Sequence, residues 1–306
     1  MNVINKINRL ALFNGLLLFL CTNITYAQFA LPAHVPIWDA NTVTLKLHKI
    51  TETVYAVLPA TAETETTKGI PQATTAGFIV GEKGILLIET MMTKRLYDQL
   101  YTLVRSVSQK PILYAVNTSD HGDHCFGNYL LPKESLIIQN EFCNENLTRN
   151  FESIKQFMIM LFGQGRGIEE SRLRVADLII PKHQNLKLDL GNGNIVDLIN
   201  TGTAQSPADL FVKVVTKDKT IWWLGNPFIA ERPAIPWLFD GYFLEPVDNL
   251  KKIYAMIGGE DIVVPGHGHI TNKAGIKYTI DYVTALKGHI ETAVKEGFSV
   301  EETKKK

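Results

Sequence analysis

Residues 117–128 read NTSDHGDHCFGN, with two histidines and two acids inside five positions. They follow the apolar run 111–116, which is typical of a buried strand, and precede a predicted short helix at 126–131. The loop lets Asp120, His121, Asp123 and His124 turn toward one point, and we expect Gly122 to adopt a backbone conformation closed to other residues. Imidazole nitrogens together with a carboxylate oxygen suit zinc or another borderline divalent ion. The alternative is a solvated turn in which these side chains meet by chance.

The composition is that of a globular protein. The 306 residues are 45% apolar and 9% aromatic, which is enough for a sizeable core in one large or two ordinary domains. Lys plus Arg and Asp plus Glu number 31 each, so the overall charge gives no reason to expect nucleic acid or an anionic membrane surface as a partner. We expect a small-molecule substrate, and no pattern in the sequence sets the oligomeric state.

The first 27 residues have the composition of an export signal. Lys6 and Arg9 precede the apolar run 10–20, and residues 25–27 (TYA) offer the small side chains that a signal peptidase needs. We predict a cleaved secretory signal at 1–27, a mature start near Gln28, and a periplasmic or secreted protein without stable membrane insertion after cleavage. A membrane anchor is the alternative, although the run is short for a bilayer span. Lipidation at Cys21 is the minor option.

Two cysteines, Cys125 and Cys143, remain in the predicted mature chain. In an oxidising compartment they could form a disulfide, which their spacing permits without requiring it. Alternatively, Cys125 brings a thiolate to a metal beside His124, or it is a small buried apolar residue. The sequence leaves these alternatives open.

Strand pairs recur in both halves of the chain. They are predicted at 43–50 with 53–58, at 76–80 with 85–89, at 186–190 with 195–198, and at 210–215 with 220–224. Helices are predicted at 90–109, from about 140 to 162, at 246–257 and at 273–295, with a surface loop at 60–72 and a disordered charged tail at 301–306. A strand, a helix, a second strand and then the polar loop are typical of α/β proteins, which place their chemistry at the carboxyl ends of strands.

Four segments, taken in order, resemble the metallo-β-lactamase fold superfamily over roughly residues 43–290. They are GILLIET at 84–90, SDHGDH at 119–124, QSPADLFV at 205–212 with WWLGN at 222–226, and VPGHG at 264–268. The resemblance implies an α/β fold, a four-layer αββα sandwich of two mixed sheets with outer helices, in one domain at 28–300. It also implies a metal site along the edge between the sheets.

The family motif His-x-His-x-Asp-His is incomplete in this chain. It falls on Ser119, His121, Asp123 and His124, while the third-loop histidine falls on Gln205, the bridging Asp or Cys on Asn226, and the final histidine on His267. One metal subsite therefore retains only His121, whereas the other keeps Asp123, His124 and His267. The resemblance implies one divalent ion, with zinc expected, held by those three residues with a fourth position open for water.

Roles for the other site residues follow from this assignment. His121 is expected to be catalytic, as a general base or a hydrogen-bond partner of the attacking water, unless it closes the site as a fourth ligand. Asp123 is catalytic through the ion. Ser119, Gln205 and Asn226 are expected to bind substrate, and the alternative for the two amides is that they are inert replacements. Asp120 and Asp209 are expected to accept hydrogen bonds in their own loops, and the aromatic run at 232–243 to form an apolar wall or part of the core.

Three functional hypotheses result. The first is an exported hydrolase that uses one metal ion to add water to an amide, ester or thioester. The second is a non-catalytic protein of the same fold that acts in binding or assembly in the periplasm; metal content separates it from the first. The third is thiol or persulfide chemistry at Cys125, which predicts a free, reactive thiol.

Overall fold

Seven strands from the first part of the chain form one mixed sheet. The structure is a computed structural model that describes residues 41–65, 73–200, 202–206, 208–229 and 245–305, all within the compact unit Ile37–Lys306. The strands are β1 (Leu45–Lys49), β2 (Val54–Pro59), β3 (Ala76–Val80), β4 (Ile85–Ile88), β5 (Ile112–Val116), β6 (Leu136–Asn140) and β7 (Leu178–Ile180), paired in chain order. β1 to β4 pair antiparallel, whereas β4 to β7 run parallel because helical segments connect them.

Six later strands form the second mixed sheet. They are β8 (Leu186–Asp189), β9 (Ile195–Asn200), β10 (Leu210–Val215), β11 (Thr220–Trp223), β12 (Ile262–Val264) and β13 (Thr271–Asn272), in the order β13-β12-β11-β10-β9-β8. Only β11 and β12 pair in parallel; the other neighbours are antiparallel. The predicted strand pairs are therefore confirmed.

Alternation along the strands divides the core into three apolar layers. Leu86 and Ile88 of β4 lie in the layer between the sheets, whereas Ile85 and Leu87 face the helices outside the first sheet. Trp223 lies between the sheets, and the adjacent Trp222 packs in the outer layer of the second sheet. Side chains alternate because successive residues of a strand point to opposite faces. The arrangement confirms the predicted αββα sandwich.

Four long helices cover the outer faces of the sheets. Helices Lys94–Val107 and Glu141–Phe162 contribute to the apolar layer of the first sheet, and Glu245–Met256 and Lys273–Lys295 to that of the second. The first begins after its N-cap, Thr93, whose hydroxyl accepts a hydrogen bond from the backbone N–H of Leu96. Shorter helical turns lie at Ala62–Glu65, Gly122–Cys125, Phe126–Leu130, Ile168–Glu170 and Val300–Thr303.

The charged tail differs from its prediction. The sequence predicts disorder at 301–306, but Val300–Thr303 is helical because the Ser299 hydroxyl and the Glu302 carboxylate form a capping box. The predicted signal at 1–27, the aromatic run at 232–243 and the part 66–72 of the predicted surface loop lie outside the described residues. Within the described part of the chain, no helix has the length and apolar character to cross a membrane.

Candidate metal centre

The site lies where two parallel strand pairs end, β4 with β5 in the first sheet and β11 with β12 in the second. In the first sheet, Glu89 follows β4 and the loop 117–121 follows β5; in the second, Asn226 comes soon after β11 and His267 soon after β12. The start of β3 reaches the same place, because the backbone N–H of Thr75 donates to Gly266 O over 2.7 Å. Polar side chains from both sheets therefore lie close together at this edge.

Asp123, His124 and His267 meet there as one cluster of donor atoms. Asp123 Oδ2 lies 3.0 Å from His267 Nε2 and 3.4 Å from His124 Nε2. One donor atom of each residue lies within 4.8 Å of the others. The rings of His124 and His267 stand edge to face, with centroids 5.7 Å apart. The three predicted ligands are therefore brought together, from sequence positions more than a hundred residues apart.

The spacing of these atoms fits a divalent metal ion. In a tetrahedral zinc site with bonds of about 2.0–2.1 Å, neighbouring ligand atoms lie roughly 3.3 Å apart. The two measured separations lie on either side of that value. One carboxylate with two imidazoles is also a donor set that zinc and neighbouring transition metals accept.

Glu89 orients His124 from behind. Its Oε1 lies 3.0 Å from His124 Nδ1, so the other ring nitrogen, Nε2, faces the cluster. The Glu89 carboxylate also accepts a 2.5 Å hydrogen bond from the Thr118 hydroxyl. Glu89 has a φ of 61°, a left-handed conformation that costs a non-glycine residue about 1–2 kcal/mol. A carboxylate behind a ligating histidine fixes the ring and its tautomer in metal sites.

The electrostatics of the cluster favour positive charge. Burial lowers the pKa of His124, but the charges of Asp123 and Glu89 outweigh burial and raise that pKa to about 9. Burial likewise raises the pKa of Asp123, yet the charge of His124 and the hydrogen bond with His267 bring it well below its usual range. A proton on His124 Nε2 and a metal ion compete for the same lone pair, so metal binding releases that proton.

Asn226 links the cluster to His121. Its Oδ1 lies 2.8 Å from His124 Nε2, and its Nδ2 lies 2.9 Å from His121 Nδ1. The Ser119 hydroxyl is a further 3.4 Å neighbour of the same His121 nitrogen. Because Asn226 Nδ2 is a donor, His121 Nδ1 accepts, and the neutral ring carries its proton on Nε2. Three of the predicted site residues thus lie side by side next to the donor cluster.

The remaining predicted polar residues lie in the surrounding loops. Gln205 is buried in the loop between β9 and β10. Asp120 accepts a short hydrogen bond from Asn146 Nδ2, a side chain of helix Glu141–Phe162 rather than its own loop. Asp209 does accept within its loop, from the backbone N–H of Ser206 over 2.7 Å.

The two cysteines are free, buried thiols. Cys125 Sγ donates toward His121 O at 3.2 Å, and Cys143 Sγ toward Ala208 O at 3.1 Å. Burial raises the pKa of both thiols well above the ordinary value. The free thiol that Cys125 chemistry requires is present, but the raised pKa lowers the share of thiolate, which is the nucleophile, and so argues against that chemistry.

Glycines shape the loops, although one acts differently from the prediction. Gly122 does not adopt a left-handed backbone; it starts the helix Gly122–Cys125, and a Cβ there would lie 2.7 Å from the Phe126 ring. The close approach is instead between Gly225 and Gly266, where a Cβ on Gly266 would lie 2.5 Å from Gly225 C. That contact brings the loops of Asn226 and His267 together.

Two site residues are not predicted from the sequence. Thr74 Oγ1 lies 3.2 Å from both ring nitrogens of His124 and donates to Gly266 O. Glu89 lies behind the same ring. For Glu89 a signal exists, as an acid directly after the apolar strand ILLI. For Thr74 there is no sequence signal, because it reaches the site only through the pairing of its segment with His267.

Comparison with known proteins places the fold. No protein-family model matches the chain, and no curated protein matches it in sequence. Solved structures do match, and each covers 79% of this chain: a metallo-β-lactamase from Pontibacter korlensis has a TM-score of 0.60 and 14% sequence identity, with 99% of that chain covered. VMB-1 at pH 5.5 has a TM-score of 0.58 and 16% identity, with 98% of that chain covered. DIM-1 metallo-β-lactamase exposed to ceftazidime has a TM-score of 0.54 and 15% identity, with 97% of that chain covered. The chain has the metallo-β-lactamase fold, with an incomplete form of the motif and a candidate metal cluster of Asp123, His124 and His267.

Proposed function

We propose that this protein is an exported metal-dependent hydrolase that uses one zinc-type ion to add water to an amide, an ester or a thioester. The observation that carries the proposal is the meeting of Asp123, His124 and His267 from two different sheets. Asp123 would provide the anionic ligand, and the two histidines would bind through Nε2. A divalent ion at this position supplies Lewis acidity and a water whose pKa is lowered to about 7.

The residues around the ion would act on water and substrate. His121, with its proton on Nε2, suits a hydrogen-bond donor to the attacking water or to a substrate oxygen better than a general base. Ser119, buried beside His121, and Gln205, buried in the loop before β10, are proposed to orient the substrate. Glu89 keeps the ring of His124 turned so that Nε2 faces the ion.

Metal content tests the proposal. Purified wild type is expected to contain about one equivalent of a transition metal by elemental analysis, and the Asp123→Ala/His267→Ala variant none. The matched control is Asp120→Asn/His269→Ala, which changes the same residue types in the same two loops. Wild type is also expected to hydrolyse at least one of a chromogenic β-lactam, an aryl ester and a thioester, with the activity lost in the first variant only. Wild type without stoichiometric metal would overturn the proposal.

Export is part of the same proposal and rests on residues 1–27. The mature protein is expected in the periplasm or the medium with an N-terminus near Gln28. Mass spectrometry of the cell fractions measures both the position and the compartment.

A non-catalytic role in binding or assembly is the second candidate. Ser119 and Gln205, which are poor metal ligands, occupy two positions where the resemblance implies histidines. A protein of this kind would retain the fold and bind no stoichiometric metal under the same conditions.

A further inference from the structure

The sequence predicts that Asn226 binds substrate, but the structure places its amide oxygen beside one donor atom of the cluster. Its Oδ1 lies 2.8 Å from His124 Nε2. This is close to the separation of Asp123 Oδ2 from the two histidine nitrogens, 3.0 and 3.4 Å. Ligand atoms that share an ion are spaced in this way. Asn226 is also 7% exposed, so its amide oxygen has little access to solvent.

We infer that Asn226 is the fourth protein ligand of the ion, through Oδ1, and that His121 is a positioning residue that holds the amide in place. The inference rests on the proposed metal site. An amide oxygen is a neutral ligand that divalent cations accept, most often hard ones such as Ca²⁺ and Mn²⁺. Four protein ligands would still allow a water to bind, because catalytic zinc sites can expand to five ligands during the reaction.

The His121 contact fixes which amide atom faces the ion. With the ring proton on Nε2, His121 Nδ1 accepts from Asn226 Nδ2 over 2.9 Å, and a half-turn of the amide would place its oxygen against that acceptor nitrogen. The oxygen therefore stays toward His124. This is the same relation that Glu89 has to His124, in which a partner outside the ligand set orients a ligand.

The charge of the buried site agrees with a neutral fourth ligand. A divalent ion brings two positive charges, and Asp123 neutralises one. The second is matched by Glu89, which is 1% exposed and hydrogen-bonded to the back of His124. With a neutral ligand at position 226, the buried site carries no unbalanced charge. Glu89 therefore supplies the charge that Asn226 lacks.

Binding of Co²⁺ to the purified full mature chain tests the role of Asn226, with affinity measured by chelator competition and the ligand field by visible absorption. Asn226→Ala is expected to weaken binding by at least about 10-fold and to change the spectrum, and Asn226→Asp to bind at least as tightly as wild type. The control, Asn194→Ala, removes a buried amide that pairs with Thr53 in a distant turn and should leave both unchanged. Circular dichroism of the metal-free variants checks that each is folded.

The His121 contact is tested with two substitutions. His121→Leu removes the acceptor and is expected to weaken Co²⁺ binding about 10- to 100-fold. His121→Gln supplies a carbonyl oxygen to the Asn226 amide and is expected to restore most of the affinity. A residue that acts only on substrate would leave Co²⁺ affinity unchanged in both.

The outcomes separate the two proposals. If wild type binds no Co²⁺, the proposed metal site fails. If wild type binds Co²⁺ and loses it in Asp123→Ala/His267→Ala, while Asn226→Ala matches wild type in affinity and spectrum, only the fourth ligand is overturned. An Asn226→Asp variant as weak as Asn226→Ala also overturns it, because it would mean that the amide acts through packing. Wild-type affinity in His121→Leu overturns the positioning role.

Discussion

Glu89, directly after β4, holds the ring of His124 in the orientation that metal binding needs. We expect Glu89→Gln to weaken zinc binding about 10- to 100-fold, because the carboxylate that orients the ring and balances its charge is lost. Competition with a chromophoric chelator measures the change. Glu82→Gln, an exposed change in the turn before β4, is the control and should bind zinc as wild type does. Equal affinity in all three proteins would contradict the role of Glu89.

Asp209 makes stability depend on pH. It is fully buried, Oδ1 has no hydrogen-bond partner among the described residues, and burial raises its pKa from 3.8 to about 6. An acid with a raised pKa in the folded state stabilises the protein below its unfolded pKa and loses that contribution as pH rises through its folded pKa. The shift of about two units corresponds to about 3 kcal/mol.

Asp209→Asn is therefore expected to remove this loss, since the amide keeps an acceptor oxygen for Ser206 N–H. The measurement is the free energy of unfolding in urea at pH 4 and pH 7 for both proteins. Wild type should lose about 2–2.5 kcal/mol more than the variant between the two pH values, because the carboxyl of the unfolded chain is already more than half ionised at pH 4. A parallel decline would mean that Asp209 does not titrate in this window.

At the scale of single residues, the sequence identifies side chains that commonly bind metals and misses side chains that reach the site only through long-range strand pairing. Asp123 and His124 are predictable because two acids and two histidines stand within five residues after an apolar run, whereas the resemblance to a known fold is what joins His267 to them. Thr74 is not predictable, because threonine is common in loops and only strand pairing brings it to His124. The predicted left-handed conformation of Gly122 is wrong. Glycine is needed there because a Cβ would clash with the Phe126 ring, and sequence alone does not distinguish this reason from a need for positive φ.

At the scale of elements, the local pattern of apolar residues predicts the hairpins and the helices. It does not predict which strands pair when they lie far apart in the sequence. The alternation in β1 and the helical pattern at 273–295 are local signals, and both elements are confirmed. β7 and β13 have three and two residues, too few to show a period. The parallel pairing of β11 with β12 joins segments about 40 residues apart, and the resemblance to a known fold, not periodicity, anticipates it.

Contact between the sheets gives a prediction for Gly77 of β3. A Cβ at this position would lie 2.5 Å from Trp223 Cζ2 and 2.8 Å from Tyr55 O, so the second sheet would have to move. We expect Gly77→Ala to reduce the free energy of unfolding by about 1–3 kcal/mol, which urea unfolding measures. A neutral Gly77→Ala would mean that the sheets are not in close contact here.

Gly288→Ala is the matched control for that substitution. This glycine lies in helix Lys273–Lys295, and a Cβ added to it would have no heavy atom within 4 Å beyond its own helix backbone and chain neighbours. Because alanine favours the helix more than glycine does, the control should stabilise the protein by up to about 1 kcal/mol.

At the scale of the whole molecule, the metal site connects the two sheets. Asp123 and His124 follow β5 of the first sheet, and His267 follows β12 of the second. An unfolded chain separates His267 from the other two donors by more than a hundred residues, so an ion that needs all three binds the folded state alone. Binding should therefore stabilise the entire described fold and not only the loops that carry the ligands.

The size of that effect follows from mass action. At a free zinc concentration 100 times the Kd, binding to the folded state adds about 2.7 kcal/mol to the free energy of unfolding. For a domain of this size, each kcal/mol raises Tm by about 2–4 °C, so zinc is expected to raise Tm by roughly 5–10 °C, and a chelator should reverse the rise. Asp123→Ala/His267→Ala should show no rise, and Asp120→Asn/His269→Ala the full one. A rise of equal size in both variants would indicate binding elsewhere on the protein, because only the first variant lacks the donors that hold the two sheets to one ion.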